Sequence, residues 1–216
     1  MDEGTRSEWL GLQTALVCDV MDAMGYRHQI LPWEIQSLVL GTKLFGPAFT
    51  VLGRMAVDDS ENDNSIRVEM LRQIPEGSVA VMSAADSRDS AHWGEITALA
   101  ARNNGCIGAV VDGGTRDVAK LLEYGFPVFA RFRSPAGSTG RWSVKCWQVP
   151  IRVEDVSIRP GDYIFGDEDG VVVVPKEILS ETLKLAVEKR DKEAGMRKAL
   201  AAGVTIDKVF KDFGHF

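Results

Sequence analysis

The sequence predicts an α/β fold in a single domain, residues 1–216, with a C-terminal helical arm from about residue 176. Short apolar runs of strand length alternate with stretches of helical periodicity, and glycine or proline turns separate them. The stretch after residue 176 is charged and amphipathic, which is typical of a surface helix. A chain of 216 residues can also bury a full hydrophobic core without disulfides or a structural metal.

The first third of the chain predicts two helices and two strands. Residues 7–25 carry apolar side chains at helical spacing up to Gly25, which predicts one helix. Residues 46–55 follow a Gly-Pro turn and are rich in β-branched and aromatic side chains, which predicts a strand. Asp63 or Asn64 caps a helix that extends to about residue 73, and a Pro-Glu-Gly turn then leads into a strand at 78–83.

The middle of the chain alternates helices and strands in the order that α/β folds show. An alanine-rich helix at 94–104 ends at Gly105, and a short apolar run at 107–111 fits a buried strand. A second helix continues to Gly125, and a strand follows at 127–132. The loop that comes next, RSPAGSTGR at 133–141, has the most flexible composition in the chain.

The last part of the chain predicts β segments and then the arm. The β segments lie at 145–153 and 163–175, and a turn at 159–161 separates them. An acidic triplet at 167–169 has the composition of a cation site, but the glycine and strand that follow favour a hairpin turn. The arm consists of a helix at 176–202 and a short capped helix from Thr205.

Composition argues against several classes of function. The formal charge of −6 repels a phosphate backbone, so no nucleic-acid partner is expected. Three cysteines are an odd number and lie in apolar surroundings, which indicates reduced thiols. The N-terminus is polar and acidic, unlike a signal peptide, and no run of about eighteen apolar residues occurs. We therefore expect a soluble, cytoplasmic protein that has no membrane partner.

The sequence VVDGGTRD at 110–117 is the first candidate for a site. A buried strand leads to Asp112, two glycines allow unusual backbone angles, and Arg116 and Asp117 stand where the next helix begins. The guanidinium of Arg116 suits a carboxylate, and the carboxylate of Asp117 suits magnesium or manganese. The pair therefore predicts an anion and a metal bound side by side. The alternative is a helix cap at Asp117 and a surface ion pair at Arg116.

The sequence AHWGEIT at 91–97 is the second candidate. A helix that begins at Gly94 leaves N–H groups free at its N-terminus, where a carboxylate can bind. Glu95 is a candidate acid or base, although acidic residues in a first helical turn commonly serve only the helix dipole. His92 is another candidate acid or base, with packing beside Trp93 as the alternative.

Other reactive side chains lie in less distinctive surroundings. Candidate Schiff-base nucleophiles are Lys43, Lys120 and Lys145, none of which lies in a motif. The loop 133–141 offers groups for a second carboxylate or a phosphate, namely Arg133, Ser138, Thr139 and Arg141. This loop lacks the lysine and the following helix of a P-loop, and an ordinary flexible loop is the alternative.

Taken together, residues 93–117, WGEITALAARNNGCIGAVVDGGTRD, resemble the RraA-like family, which includes class II 4-hydroxy-4-methyl-2-oxoglutarate aldolases. Further blocks resemble the family in the same order: GPAFTV at 46–51, the pair Asp63-Asn64, PEGSVAVM at 75–82 and RPGDYIFGDEDGVVVVP at 159–175. The resemblance extends from about residue 14 to residue 209. It implies a single-domain β/β/α swivelling-type fold and assembly as a homotrimer or homohexamer.

The resemblance also implies roles for individual residues. Asp117 would ligate Mg²⁺ or Mn²⁺ directly, and Glu193 of a neighbouring subunit would reach the metal through water, with Glu188 as the alternative to Glu193. The implied catalytic residues are Arg116, Glu95 and Asp117. The implied substrate-binding residues are Gly94, Glu95, Ile96, Thr97 and Arg116, of which Arg116 would bind the pyruvyl oxygens.

The implied function is a metal-dependent lyase that cleaves a 4-hydroxy-2-oxo acid to release pyruvate and also decarboxylates oxaloacetate. A 2-oxo acid chelated by the metal can form an enolate, because the cation neutralises charge that develops on oxygen. The alternative is a non-catalytic, protein-binding regulator of an RNA-degrading enzyme of the ribonuclease E type. The Arg116-Asp117 pair favours catalysis, because a binding module has no need of a metal ligand beside a carboxylate clamp. A methyltransferase is disfavoured, because no glycine-rich nucleotide loop is evident.

Overall fold

The computed structural model describes residues 2–58 and 64–214, and it has the mixed α/β architecture that the sequence predicts. The helices are α1 Glu3–Leu10, α2 Thr14–Ala23, α3 Asn64–Arg72, α4 Glu95–Asn103, α5 Val118–Glu123, α6 Leu179–Ala201 and α7 Ile206–Phe213, with a 3₁₀ turn at Lys176–Ile178. The strands are β1 Gln36–Ser37, β2 Leu44–Met55, β3 Val79–Ser83, β4 Ala91–Trp93, β5 Gly108–Thr115, β6 Val128–Arg133, β7 Trp142–Trp147, β8 Ile151–Val153, β9 Val156–Ile158, β10 Tyr163–Asp167 and β11 Gly170–Val174.

A large mixed sheet forms the centre of the fold. Four parallel strands stand side by side in the order β6, β5, β3, β2, and β10 and β11 continue the sheet antiparallel beyond β2. The two outer edges nearly meet, because Ile30 bridges to Val172 in β11 while Gln36 of β1 pairs with Ala130 in β6. The sheet is therefore nearly closed, and the carboxyl ends of its parallel strands share one edge.

Three apolar clusters fix the other elements against this sheet. The first lies between the sheet and α3, α4 and α5 and contains Trp93 and Trp142. The second lies on the opposite face, where the β8–β9 hairpin covers Val110. The third joins α1, α2 and α6 to β10 and β11, and within it the rings of Trp9 and Phe45 stack at 4.6 Å. Complete burial of one such large apolar side chain contributes roughly 1.5–3 kcal/mol.

The N-terminal segment differs from its prediction, because residues 7–25 do not form one helix. The first helix ends at Gly11, whose N–H bonds back into α1, and a second helix begins at Thr14. The N–H of Thr14 donates to Asp167 Oδ2 at 2.8 Å, and its hydroxyl donates to Asp167 Oδ1 at 2.5 Å. A residue from far along the chain thus caps the N-terminus of α2, and local periodicity does not contain this information.

The acidic turn after β10 is the hairpin that the sequence favours. Asp167 pairs with Gly170, so that Glu168 and Asp169 form a two-residue loop. Asp167 caps α2, and Glu168 accepts the N–H of Gly41 at 2.8 Å. Across residues 2–58 and 64–214, no group of three or more His, Cys, Asp or Glu side chains could hold a metal ion.

Several strand boundaries also differ from the prediction. The segment predicted at 145–153 is interrupted, since β7 ends before Gln148, which has a positive φ of 53°, and β8 begins after it. The strand predicted at 107–111 continues through two glycines to Thr115. The short strands β1, β4 and β9 were not predicted, and Asp63, predicted as a helix cap, lies outside the described residues. None of the described helices combines the length and the apolar character needed to span a membrane.

Candidate functional site

A cavity of about 220 Å³ lies beside the carboxyl end of β5, where the chain turns into α5. The start of α3, the segment 91–97, the end of β5 and the loop 133–141 form its walls. The residues that the family resemblance assigns to the site and that line it are Gly94, Ile96, Thr97, Arg116 and Asp117, and the further candidates that line it are His92, Ser138 and Thr139. The two candidate segments of the sequence therefore meet in one cavity, at the edge of the sheet where α/β folds commonly place ligands.

Asp117 turns its carboxylate towards α4 instead of its own helix. Its backbone lies in the left-handed region, with φ 57° and ψ 33°, at the N-cap position of α5. The side chain makes no cap hydrogen bond to α5, whereas Oδ2 accepts the N–H of Glu95 at 3.2 Å. A left-handed backbone costs about 1–3 kcal/mol for a non-glycine residue, and Asp tolerates it better than most. The geometry therefore contradicts the alternative that Asp117 is a helix cap.

Gly94 allows this close approach because it has no side chain. A Cβ on Gly94 would lie 2.7 Å from Asp117 Oδ2 and 3.0 Å from Arg116 Cγ. Gly94 is also the N-cap of α4, so the N–H groups of Ile96 and Thr97 have no acceptor within the helix. An anion in the cavity therefore meets unpaired N–H groups at the positive end of a helix dipole.

Arg116 stands beside Asp117 with its guanidinium available to a ligand. Its N–H donates to the carbonyl of Trp93 at 3.0 Å, which fixes the backbone, and its Nε lies 3.5 Å from Asp117 Oδ2. A Cβ on Gly137 would lie 2.9 Å from Nη1, so the guanidinium packs directly on the loop 133–141. Within the described chain the guanidinium donates no hydrogen bond, and its planar N–H groups suit a carboxylate.

The side chain of Glu95 points away from the cavity lining. Its Oε1 accepts the hydroxyl of Tyr124 at 2.6 Å, and only its backbone N–H meets Asp117. This hydrogen bond to the carboxylate raises the pKa of the Tyr124 hydroxyl. A role for Glu95 beside a metal therefore requires its side chain to rotate away from Tyr124.

The glycines before Arg116 serve a different purpose from the predicted one. Gly113 and Gly114 lie inside β5, and neither has a left-handed backbone. A Cβ on Gly114 would lie 2.5 Å from the carbonyl oxygen of Ser90, and a Cβ on Gly113 would overlap the ring of His92. The glycines thus let segment 90–93 pack directly on the strand, and the unusual backbone angle falls on Asp117 instead.

His92 is a buried, neutral packing residue. Its Nδ1 accepts the N–H of Gly114 at 3.2 Å, and its ring packs edge-on against Trp142 at 4.8 Å. Burial, helped by the positive charge of Arg67, lowers the pKa of His92 to about 4, and the opposing effect of Asp89 is smaller. The imidazole is therefore uncharged at neutral pH and fastens β4 to β5, and its ring packs on Trp142 and not on Trp93, the neighbour that the packing alternative named.

Arg67 of α3 is a cavity residue that the sequence analysis missed. Its Nη1 donates to the carbonyl of His92 and its Nη2 to Ser138 Oγ, both at 3.0 Å, and its Cζ lies 5.4 Å from the ring centroid of Trp142. The available signal was helical spacing, because Asn64 also lines the cavity and Arg67 follows it by three residues on the same helical face.

The loop 133–141 contributes Gly137, Ser138 and Thr139 to the cavity lining. Its two arginines are bound to carbonyl groups instead, since Arg133 Nη2 reaches Leu38 at 3.5 Å and Arg141 Nη1 donates to Gly137 at 3.1 Å. Of the four anion-binding groups predicted in this loop, Ser138 and Thr139 line the cavity, whereas Arg133 and Arg141 do not.

Four other candidates lie away from the cavity lining: Lys43, Lys120, Lys145 and Glu193. Lys43 binds the carbonyls of Leu10 and Leu12 at the end of α1, and Lys120 pairs with Glu123 in α5. Glu193 on α6 pairs with Arg197 at 3.2 Å. A contribution of Glu193 to the site would have to come from a second chain, as the resemblance implies.

A second arginine–aspartate pair lies on the opposite face of β5. Arg131 of β6 contacts Asp112, Glu34 at 3.3 Å and Glu154 at 2.7 Å. Burial raises the pKa of Asp112, although the neighbouring Arg131 acts in the other direction. Asp112 is therefore part of a buried ionic cluster and does not reach the cavity.

The chemistry around Asp117 fits a hard divalent cation. Its Oδ1 accepts no hydrogen bond from any residue in the described ranges, and the carboxylate is partly exposed. Magnesium commonly keeps several water ligands and binds through one or two carboxylates together with substrate oxygens. The open Oδ1 of Asp117 could supply such a carboxylate ligand, whereas His92 has its Nδ1 occupied by Gly114.

Comparison with known proteins gives the family of this chain. A family model named RraA-like and described as Aldolase/RraA matches residues 14–173. A protein of Halalkalibacterium halodurans named "Putative 4-hydroxy-4-methyl-2-oxoglutarate aldolase" is 30% identical over 195 residues, which cover 89% of this chain and 87% of that protein. Protein DlpA of Legionella pneumophila is 29% identical over 206 residues, which cover 94% of this chain and 33% of DlpA. This chain thus spans about a third of the length of DlpA.

The same family description appears among solved structures. The crystal structure of Streptomyces coelicolor RraAS2, described as an unusual member of the RNase ES inhibitor RraA protein family, is similar with a TM-score of 0.81 and 26% sequence identity. The match covers 91% of this chain and 97% of that chain, so the likeness extends over nearly the whole fold.

Proposed function

Because this chain belongs to the RraA-like (Aldolase/RraA) family, we propose that it is a divalent-metal-dependent carbon–carbon lyase. Its reaction is the retro-aldol cleavage of a 4-hydroxy-2-oxo acid, such as 4-hydroxy-4-methyl-2-oxoglutarate, with release of pyruvate. Oxaloacetate decarboxylation accompanies it, since loss of carbon dioxide leaves the same pyruvate enolate. The name of the Halalkalibacterium relative supports the aldolase activity.

The position of Asp117 is the observation that carries the proposal. Its carboxylate is held in a left-handed turn, does not cap the following helix, and faces the N-terminus of α4 beside Arg116. Strained residues persist where the surrounding structure enforces them, and they concentrate at ligand sites. Three groups suited to a 2-oxo acid thus line one cavity: an open carboxylate for a cation, a guanidinium, and helix N–H groups.

Each of these groups has a part in binding the substrate. Asp117 would hold Mg²⁺ or Mn²⁺, with water and substrate oxygens completing the coordination. When bound, the ion supplies positive charge that stabilises the negative charge developing on the 2-oxo group. Arg116 binds the pyruvyl oxygens through charge-assisted hydrogen bonds, and the N–H groups of Ile96 and Thr97 bind the substrate carboxylate.

The reaction also needs one proton to be moved. The 4-hydroxyl group loses its proton as the carbon–carbon bond breaks, and the pyruvate enolate gains a proton at C3. We assign both transfers to Glu95, because its backbone N–H adjoins the Asp117 carboxylate, and the assignment requires its side chain to leave Tyr124 and turn into the cavity. His92 is not assigned a proton transfer, because it is neutral and buried.

Pyruvate release tests the proposal directly. The assay uses 4-hydroxy-4-methyl-2-oxoglutarate and oxaloacetate with added Mg²⁺ or Mn²⁺, and again after EDTA treatment. We expect turnover with either ion and none after chelation, so turnover that survives EDTA would contradict the role of the metal. Borohydride reduction in the presence of pyruvate is the control for a Schiff-base mechanism, and it should leave activity intact.

A regulator of an RNA-degrading enzyme is the second candidate. The likeness to RraAS2 supports it, and so does the exposure of Trp33 and Leu40, whose side chains are 79% and 86% exposed. A tight complex with a ribonuclease E type enzyme, together with no pyruvate release from any 2-oxo acid, would favour this candidate over the lyase.

Assembly as a homotrimer or homohexamer is part of the proposal, with Glu193 of a neighbouring chain reaching the metal through water. Light scattering would give the mass of the assembly in solution. Glu193→Gln should lower turnover without changing that mass, and unchanged turnover would remove Glu193 from the site.

A further inference from the structure

We propose that Arg67 and Ser138 form a second anion subsite in the same cavity, which selects 2-oxo acids that carry a second carboxylate. The inference rests on the proposed function for the position of the first carboxylate. It adds a pair of specificity residues from α3 and the loop 133–141.

The two arginines of the cavity contact adjacent residues of the loop. The guanidinium of Arg116 packs on Gly137, and Arg67 Nη2 donates to Ser138 Oγ at 3.0 Å. Neighbouring Cα atoms lie about 3.8 Å apart, so one small ligand can reach both guanidinium groups. The cavity of about 220 Å³ that they share suits a molecule of a few carbon atoms.

The guanidinium of Arg67 is ordered before any ligand binds. The carbonyl of His92 and the hydroxyl of Ser138 each accept one of its hydrogen bonds, and the ring of Trp142 lies beneath it. A side chain that is already immobilised loses little entropy on binding. Arg67 can therefore contribute both affinity and selectivity.

The hydroxyl proton of Ser138 is available to a ligand. Its Oγ accepts from Arg67, and in the described parts of the chain its hydroxyl donates to no other group. A carboxylate next to Ser138 would thus receive a hydroxyl hydrogen bond beside the charge of Arg67. Hydrogen bonds to an ionised acceptor are roughly twice as strong as neutral ones.

Ligand binding by calorimetry, with Mg²⁺ present, tests the subsite independently of turnover. The probes are 2-oxoglutarate, which has a second carboxylate, and 2-oxobutyrate, which lacks one. We expect Arg67→Met to weaken 2-oxoglutarate binding about 10- to 100-fold and 2-oxobutyrate binding less than about threefold. Ser138→Ala should cause a smaller loss with the same selectivity. Arg72→Met is the matched control, because Arg72 lies exposed on the same helix, paired with Glu69.

Each outcome decides between the proposals. Equal losses of affinity for 2-oxoglutarate and 2-oxobutyrate, or no loss for either, would overturn the subsite. If thermal unfolding shows that Arg67→Met does not fold, the same comparison with Ser138→Ala decides the question. Selective dianion binding through Arg67 without any pyruvate release would contradict only the lyase. Pyruvate release at equal kcat/KM from mono- and dicarboxylic 4-hydroxy-2-oxo acids would contradict only the subsite.

Discussion

Two arginine–aspartate pairs lie at β5, and they differ in how completely the fold uses their charges. Arg131 and Asp112 are 3% and 8% exposed, and Arg131 also contacts two further carboxylates. Arg116 and Asp117 are 46% and 39% exposed and meet only through Nε and Oδ2 at 3.5 Å. The charges of Arg131 and Asp112 are thus paired inside the protein. Arg116 and Asp117 are partly exposed, so the guanidinium and the carboxylate can still bind a ligand.

The difference arises from the position of each aspartate relative to the strand. Side chains alternate along a strand, so Asp112 shares the face of Val110, which the β8–β9 hairpin covers. Asp117 lies beyond the strand end, where a left-handed residue redirects its side chain towards α4. A short stretch of sequence thus contains one structural and one available carboxylate, and only the three-dimensional position separates them.

Asp117→Asn should have the largest effect on activity. It tests whether the exposed pair serves the reaction and not the stability of the fold. Asn tolerates the left-handed backbone, but it lacks the negative charge that a divalent ion requires. We expect kcat/KM for pyruvate release to fall on the order of 10³-fold or more. The free energy of unfolding should change by less than about 0.5 kcal/mol. Steady-state assays and urea titrations measure both quantities, and a variant that unfolds would restore the helix-cap interpretation.

Arg131→Met, compared with Arg116→Met, sharpens the contrast in stability. Removal of Arg131 leaves the Asp112 carboxylate buried without its partner, which should lower the free energy of unfolding by about 3–5 kcal/mol. Removal of Arg116 leaves no buried charge, so stability should stay within about 0.5 kcal/mol while KM rises. Urea titrations of both variants measure the difference, and equal stabilities would erase the distinction between the pairs.

The buried His92 beneath the cavity predicts a pH dependence of stability. Its pKa in the folded state is about 4, below the ordinary value of 6.5, so the unfolded chain takes up the proton first as the pH falls. The stability present above pH 6.5 should decline towards pH 4, by about 3 kcal/mol. Urea titrations at pH 7, 5.5 and 4.5 should show a weaker pH dependence for His92→Gln. Identical pH dependence in both proteins would contradict a neutral, buried imidazole.

Tyr124→Phe should produce the smallest effect. Without the hydroxyl, Glu95 loses the hydrogen bond that holds its carboxylate outside the cavity lining. The Glu95 carboxylate then enters the cavity more readily, so we expect kcat to rise roughly two- to tenfold, which corresponds to the free energy of one hydrogen bond. Glu95→Gln is the comparison variant, and kcat should fall on the order of 10²-fold or more. A fall of similar size in Tyr124→Phe would mean that Tyr124 holds Glu95 in its working position.

Both halves of the cavity and most of the helices and strands could be predicted from local sequence signals. Gly94 at a helix start and Asp117 after a buried strand are such signals, because each depends on a few neighbouring residues. Arg67 could not be predicted in this way, because its place in the cavity depends on how α3 packs. The direction of the Glu95 side chain depends on Tyr124, 29 residues away, for the same reason.

The glycine pair in β5 shows how one signal has two physical meanings. Gly113 and Gly114 suggested a turn, because glycine permits backbone angles that other residues avoid. In the structure they remain in the strand, since what they provide is room for Ser90 and His92. Sequence alone does not distinguish conformational freedom from the absence of a side chain, because the neighbour that needs the space comes from another segment.

The cap on α2 has a consequence for how the chain assembles during synthesis. Thr14 obtains its cap from Asp167, a residue made 153 positions later. Trp9 and Val17 likewise bury themselves in a cluster with β10, β11 and α6. The first two helices therefore cannot complete their packing until the last third of the chain has been synthesised. We expect the segment that is made first to be among the last to reach its final packing.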